Sequence, residues 1–513
     1  MIERLPERVA IDILSKAYLT SQPSDGPLIW REYGGCNPLR TVAPLVCKAW
    51  NELIRSPAAG KVFFRRVRIV DACILPLRRF KPDALLRWFK ERARLYVQEL
   101  EVNLSSFFSS PPVLERVSQL LCELIAAAPA LQVLHLTGEL ELDRVFDAMP
   151  ATPGTLGALR SVHLARGGAG NWGVASCVAA LACVPSLTQL QVIFRSDLEE
   201  PPPGLPASIA ALRTLRHLAL TWPTRSALPP AAPLPDGLGD LAQLTTLQLR
   251  RVPATCVPGW LGRLAGLRHL YWDLCLPADV PATPPPGLDA LTGLRTLYID
   301  LAPPLALAPS LAGLRTLVMV GHAAPDAPDQ DWDWLAPFTK LRSLRIQGGG
   351  MRTLPPALRD ATTLTRLSLN NNRLSDLPDG PWLAGVTALH LGSNRFGAFP
   401  RALRSARALQ SLHLANQRDE GGALRRGTPE LTLEAADVAA LCTLPALRLV
   451  VLAQAQPRVR GAAAAAPLDY SWLQRALAAR RVRLTSNELA FELESLPMFD
   501  TPHVGWAGSV NTL

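Results

Sequence analysis

The stretch Leu294-Arg295-Thr296-Leu297-Tyr298-Ile299-Asp300 decides how this chain folds. Successive side chains of a strand point to opposite faces, so Leu297 and Ile299 turn inward while Thr296, Tyr298 and Asp300 turn outward. The same unit, Leu-x-x-Leu-x-Leu, opens again at Leu131, Leu159, Leu187, Leu215, Leu244, Leu267, Leu314, Leu341, Leu364, Val386, Leu409 and Leu447, after a first copy near Val97. A single copy cannot bury its leucines. Copies stacked side by side as parallel strands share a continuous core, and their outward positions line one long sheet face.

A chain of 513 residues exceeds the roughly 250–300 residues at which one globular core stops growing, and the repeat selects an elongated array. Hydrophobic residues make up 48% of it. No uninterrupted apolar run reaches the roughly 20 residues of a membrane helix, so no membrane partner is expected. Met1 to Pro6 lacks the basic and apolar regions of a secretory leader, which implies a cytoplasmic or nuclear protein. The nine cysteines are scattered with no Cys-x-x-Cys pair, so neither a disulfide framework nor a zinc site is indicated. The formal charge of +10 raises nucleic acid as a partner. However, Arg160, Arg216, Arg268, Arg295, Arg315, Arg342 and Arg448 recur at one fixed repeat position, spread along an edge, whereas nucleic-acid binding favours a basic stripe with aromatics.

Residues 1–57 carry no repeat. Pro6 suits the first position of a helix, and Val9, Ile13, Leu14 and Ala17 then follow at helical spacing. A Pro-, Gly- and Ser-rich loop, Ser21 to Asn37, separates them from a second helix bearing Val42, Leu45, Val46, Ala49, Trp50 and Leu53. Leu5-Pro6, Ile13-Leu14, Leu45-Val46-Cys47 and Trp50 with Leu53 resemble an F-box, the helical module that docks a substrate receptor onto a cullin-RING ubiquitin ligase through a Skp-family adaptor. The resemblance implies that these residues bind the adaptor. Residues 58–94 read as a helical connector in which Ala84, Leu85, Trp88 and Phe89 cover the first repeat. Residues 95–455 resemble the leucine-rich-repeat family. Early copies are spaced by 28 residues, with room for a helix from Val174 to Val184, and copies from Leu341 onward by 22 or 23, as in Leu364 to Leu377 with Asn370-Asn371-Asn372, until a long gap from Leu414 to Leu447 that holds a charged loop, Gln417 to Thr428. Residues 456–513 read as an Ala-rich linker, a capping helix from Tyr470 to Arg480 and a disordered tail.

Several motifs invite a chemical reading. Gly168 to Gly173 fits Gly-x-Gly-x-x-Gly, but its flanking strands keep the repeat register. Asp329, Asp331 and Asp333 alternate like a calcium loop, yet Trp334 and Lys340 stand where Gly and Glu are required. Six histidines (His135, His163, His217, His269, His390, His413) take outward strand positions, mostly far apart along the array, which reads as a wet polar face. No catalytic constellation, cofactor or metal is expected.

The expected fold is therefore α/β: a leucine-rich-repeat solenoid with parallel strands on its concave face and helices or loops on the convex side, preceded by a small all-helical F-box-like domain. His269, Tyr271 and Asp273 lie one repeat before Thr296, Tyr298 and Asp300. With Arg250 before them and Val318 and Arg345 after, they form a candidate partner-binding patch, aromatic anchors beside both signs of charge. The function read from this is a substrate-recognition subunit of a cullin-RING ligase, monomeric outside the complex, that binds an unknown protein. The alternatives are a repeat scaffold in signalling or cytoskeletal (including ciliary) assemblies, and a basic nucleic-acid-binding array.

Overall fold

The computed structural model describes residues 58, 60–61, 64–70, 82–104, 111–138, 140, 142–147, 156–166, 174–193, 205–222, 234–251, 259–273, 285–300, 306–321, 331–415, 417, 431–433, 435–452, 458–459 and 477–485. The F-box-like segment, the Gly168 to Gly173 motif, residues 418–428 and the tail lie outside them. The chain divides into two compact units, residues 1–275 with 285–291, and residues 276–284 with 292–513.

The first unit stacks eight strands: β1 (Arg66–Val70), β2 (Glu99–Leu104), β3 (Val133–Gly138), β4 (Ser161–Arg166), β5 (Gln189–Ile193), β6 (His217–Thr221), β7 (Thr246–Arg250) and β8 (His269–Asp273). Each is parallel to the next and in register with it. Leu100, Leu134, Val162, Leu190, Leu218, Leu247 and Leu270 form one inward file, none more than 1% exposed. Burying a side chain of this kind contributes about 1.5–3 kcal/mol, and every rung needs its neighbour to achieve it.

What closes the other side changes along the unit. The early copies place helices there: α1 (Pro82–Trp88), α2 (Pro111–Ala126), α3 (Leu142–Asp147) and α4 (Val174–Ala182). The described residues of the later copies place 3₁₀ turns there, at Ala207–Ala211, Asp236–Asp240, Gly259–Arg263 and Leu288–Ala290. Gly287 marks how tightly these turns stack. Its φ is +82°, and a Cβ there would lie 2.7 Å from the Gly262 nitrogen.

The second unit continues the pattern with β9 (Thr296–Asp300), β10 (Thr316–Val320), β11 (Ser343–Gln347), β12 (Arg366–Ser368), β13 (Ala388–His390) and β14 (Ser411–His413). Next come β15 (Thr432–Leu433), α5 (Ala435–Thr443), β16 (Leu449–Val451), β17 (Arg458–Val459) and β18 (Arg483–Thr485). Strand β14 pairs with β16 and β16 with β18, while β15 and β17 form a small parallel sheet of their own. In the unit 294–300 the burial alternates as read, Leu297 and Ile299 fully enclosed between half-exposed Thr296, Tyr298 and Asp300.

Where repeats shorten, a file of buried amides replaces helix packing. Asn372 Nδ2 donates to the carbonyls of Ile346 (2.8 Å), Leu369 (3.0 Å) and Asn370 (3.2 Å), and its Oδ1 accepts from the Met351 N–H at 3.1 Å. One repeat later Asn394 donates to Leu369 (2.8 Å), Leu391 (2.9 Å) and Gly392 (3.3 Å) and accepts from Leu374 N–H at 3.1 Å. Gln417 then donates to Leu391 (3.1 Å), Leu414 (3.0 Å) and Ala415 (3.3 Å) and accepts from Phe396 N–H at 3.1 Å. The Leu369 and Leu391 carbonyls each serve two successive amides, so the file is continuous.

Three features differ from the sequence reading. The ladder begins at β1, inside the segment read as helical, because Arg66-Val67-Arg68-Ile69 carries the two-residue alternation without leucine. It extends to β18 beyond the expected end, through Val482, 5% exposed and inward. Gln417, read as the start of a charged loop, is fully buried as the last member of the amide file. Replacing Asn394 with Ala orphans the Leu374 N–H, a loss worth about 1–3 kcal/mol, and takes one donor from each of three carbonyls, Leu369, Leu391 and Gly392. Urea unfolding should show the second unit destabilised by about 2–4 kcal/mol, and an unchanged midpoint would contradict this assignment.

Candidate interaction face

The outward positions of each sheet fall into columns one strand spacing apart, about 4.8 Å. In the first unit the middle column runs Arg68, Glu101, His135, His163, Gln191, Ala219, Gln248 and Tyr271. Its leading end is a charge network. Arg66 Nε lies 3.1 Å from Glu99 and its Nη2 2.9 Å from Glu101, while Arg68 Nε lies 2.9 Å from Glu101. His135 Nε2 stands 3.8 Å from Glu99. The sequence reading places His135 outward but does not find Arg66 and Arg68, since β1 itself is missed; their alternation with Val67 and Ile69 is the available signal.

The candidate patch is divided between the two units. In the first, Arg250 and Asp273 sit opposite each other on β7 and β8, and the Arg251 N–H donates to the Asp273 carbonyl at 2.7 Å. Burial raises the Asp273 carboxyl above its ordinary value, against the lowering effect of Arg250 and Arg251. His269 is half-buried, and Tyr271, read as an outward anchor, keeps only 8% exposure. In the second unit the register sets Val318 between Tyr298 and Arg345, all three half-exposed, with Asp300, Val320 and Gln347 in the next column. Arg345 donates to Gln347 Oε1. So the fold brings together Tyr298, Val318 and Arg345 in one place, and Arg250 with Asp273 in another. The adaptor-binding residues inferred from the F-box resemblance, Leu5, Pro6, Ile13, Leu14, Leu45, Val46, Cys47, Trp50 and Leu53, lie outside the described residues.

The histidines depart from the expectation of a wet face in two ways. His135 and His163 are 28 residues apart, one repeat length, so register places them side by side with ring centroids 5.4 Å apart. His390 and His413, 23 apart, pair likewise at 6.1 Å. The second pair is also enclosed, at 2% and 5% exposure. Burial lowers His163 to about 4, with His135 adding to the effect, and lowers His390 to about 3, with His413 and Arg345 adding. Burial also lowers His135 and His217. Among the described residues no group of three or more His, Cys, Asp or Glu side chains is arranged to hold a metal.

What decides the architecture is one parallel strand per Leu-x-x-Leu-x-Leu unit, in unbroken register within each unit of the chain. The fold is a leucine-rich-repeat solenoid. No family model matches the chain, and no curated protein does. Among solved structures it is similar to a leucine-rich-repeat protein of Leptospira interrogans, at 16% identity over 84% of this chain and 92% of that one, with a TM-score of 0.45. It is also similar to an internalin of Listeria monocytogenes, at 18% identity over 64% and 81% with a TM-score of 0.42. A third is the leucine-rich-repeat ectodomain of the Arabidopsis receptor kinase HAESA, solved with a peptide hormone, at 18% over 65% and 56% with a TM-score of 0.40.

The lowered histidines fix the direction of a pH response. A histidine kept neutral by the fold binds its proton more readily when unfolded, so the native state loses stability as pH falls below the ordinary value of 6.5, until His163 near 4 and His390 near 3 titrate in place. Stability should be level above pH 7 and decline from about pH 6.5 to 4, by up to about 1.4 kcal/mol per pH unit for each fully titrating histidine. Denaturant unfolding across that range checks this. His390→Gln should flatten the decline, and an identical slope in the variant would refute the assignment.

Proposed function

We propose that this chain is a protein-binding array that captures a partner on its outward sheet face and acts by positioning rather than by chemistry. The observation that carries this reading is the Tyr298–Val318–Arg345 cluster: an aromatic, an aliphatic and a cationic side chain on three successive strands, each partly open to solvent. Such a composition favours protein interfaces, and Thr296, Asp300 and Gln347 surround it with polar groups as an interface rim requires. Proximity labelling in cells tests it: the variant Tyr298→Ala with Val318→Asp should lose a defined subset of the proteins labelled by the wild type, and an unchanged set would remove the cluster from consideration.

The finer reading is a substrate receptor of a cullin-RING ubiquitin ligase, working in the cytoplasm or nucleus. Its support is the F-box resemblance of Leu5, Pro6, Ile13, Leu14, Leu45, Val46, Cys47, Trp50 and Leu53. In this reading the N-terminal helices hold the Skp-family adaptor, and the sheet face presents the captured protein for ubiquitin transfer. The competing reading is a scaffold without a ligase, in which those helices only close the array. Pull-down with purified adaptor separates the two. The wild-type chain should retain the adaptor, and replacing Leu5, Pro6, Val46 and Trp50 with Ala should abolish retention. If the wild type retains none, the chain is a scaffold.

A further inference from the structure

Arg295, Arg315 and Arg342 occupy one repeat position on three consecutive strands of the second unit, just ahead of the outward residues Thr296, Thr316 and Ser343. Their backbones are joined rung to rung: the Arg315 N–H donates to the Arg295 carbonyl, and the Arg342 N–H to the Arg315 carbonyl, both at 2.8 Å. Three cations therefore stand in file at about 4.8 Å intervals. All three are exposed, and among the described residues no ion pair or hydrogen bond engages their guanidinium groups; the Thr365 hydroxyl donates to the Arg342 backbone carbonyl at 2.9 Å. The sequence alone read these arginines as dispersed along an edge; register gathers these three.

The first unit treats the same position differently. From β2 to β8 it holds Gln98, Gln132, Arg160, Thr188, Arg216, Thr245 and Arg268, so no two neighbouring rungs are both charged. Like charges facing each other across strands destabilise a sheet. Alternation avoids that cost, whereas β9 to β11 carry it with no ion pair to a carboxylate among the described residues. A file of this kind is complementary to an anion, and each guanidinium presents a fork of donors matched to a carboxylate.

Two observations favour a protein anion over a nucleic acid. Tyr298 is the sole aromatic among the outward residues of β9 to β11, where a single-strand site needs several for base stacking. Asp300 also ends the β9 rung in a negative charge that a phosphate chain would meet. We infer that this edge binds an acidic, extended segment of a partner protein, with carboxylates on Arg295, Arg315 and Arg342 and an aliphatic side chain against Val318. The file spans roughly 10 Å, the length of about three extended residues, so a short acidic stretch covers it. The inference rests on the reading of this sheet face as a protein-binding surface.

The test uses the full-length chain and a fluorescein-labelled peptide of alternating Glu and Val, followed by anisotropy at low salt. Saturable binding is expected. Replacing Arg295, Arg315 and Arg342 together with Gln should weaken it about tenfold or more, with an unchanged circular-dichroism spectrum because the three side chains are exposed. The matched first-unit variant, Arg160, Arg216 and Arg268 to Gln, should bind within about twofold of wild type, and a single-stranded oligonucleotide of equal charge should bind more weakly than the peptide. The inference is overturned if the wild type shows no saturable binding, if both triple variants lose equally, or if the oligonucleotide binds as tightly as the peptide. Val318→Asp separates the two claims. Loss with Val318→Asp but not with the arginine variant overturns the arginine file and leaves the protein-binding face standing, whereas full binding by both variants overturns both.

Discussion

Each rung of this molecule is stable because the next rung exists. Leu297, Leu317 and Leu344 are at most 1% exposed, yet none has a partner within its own repeat that could enclose it. The enclosure is supplied by the same file on the adjoining strands, and the backbone hydrogen bonds between rungs follow from the same stacking. Stability in such an array is close to a sum of local and nearest-neighbour contributions. Repeats can therefore change length and decoration without disturbing distant ones, which is how helices and 3₁₀ turns coexist in one register within the first unit.

That tolerance has a condition. A shortened repeat bends its chain sharply after the strand, and the bend turns peptide groups away from the ladder into the interior. Asn372, Asn394 and Gln417 meet this by donating to carbonyls both of their own turn and of the turn before. Gln417 does so with one more methylene than the others. The left-handed backbone at Asn371 and Ser393, φ of 57° and 55°, belongs to the same turn and recurs with the same period. With the interior closed in this way, the outward columns of β9 to β11 can vary in chemistry, and it is there that Tyr298, Val318 and Arg345 differ from the residues at equivalent positions.

Most of the fold was legible because leucine marks the inward positions unambiguously. Strand β1 escaped notice because Val67 and Ile69 fill the leucine sites, and Gln417 because its polarity reads as surface until its register with Asn372 and Asn394 is counted. The histidine pairs were legible in principle, since 28 and 23 are repeat lengths, but adjacency is a property of register rather than of distance along the chain. Burial was not legible: alternation says which way Tyr271, His390 and His413 point, and says nothing of what encloses them. The arginine file shows the same limit, for seven arginines at one position look dispersed until three prove consecutive.

The central claim is that partner capture occurs on the outward face of β9 to β11 and not on the turns behind it. Site-specific photo-crosslinking measures this most directly, with a photoreactive residue placed either at position 318 on that face or at position 310 in the exposed turn Pro309–Leu311. The account predicts a discrete crosslinked adduct from position 318 and none from position 310. An adduct that forms from 310 and not from 318 would place recognition on the opposite side and contradict it.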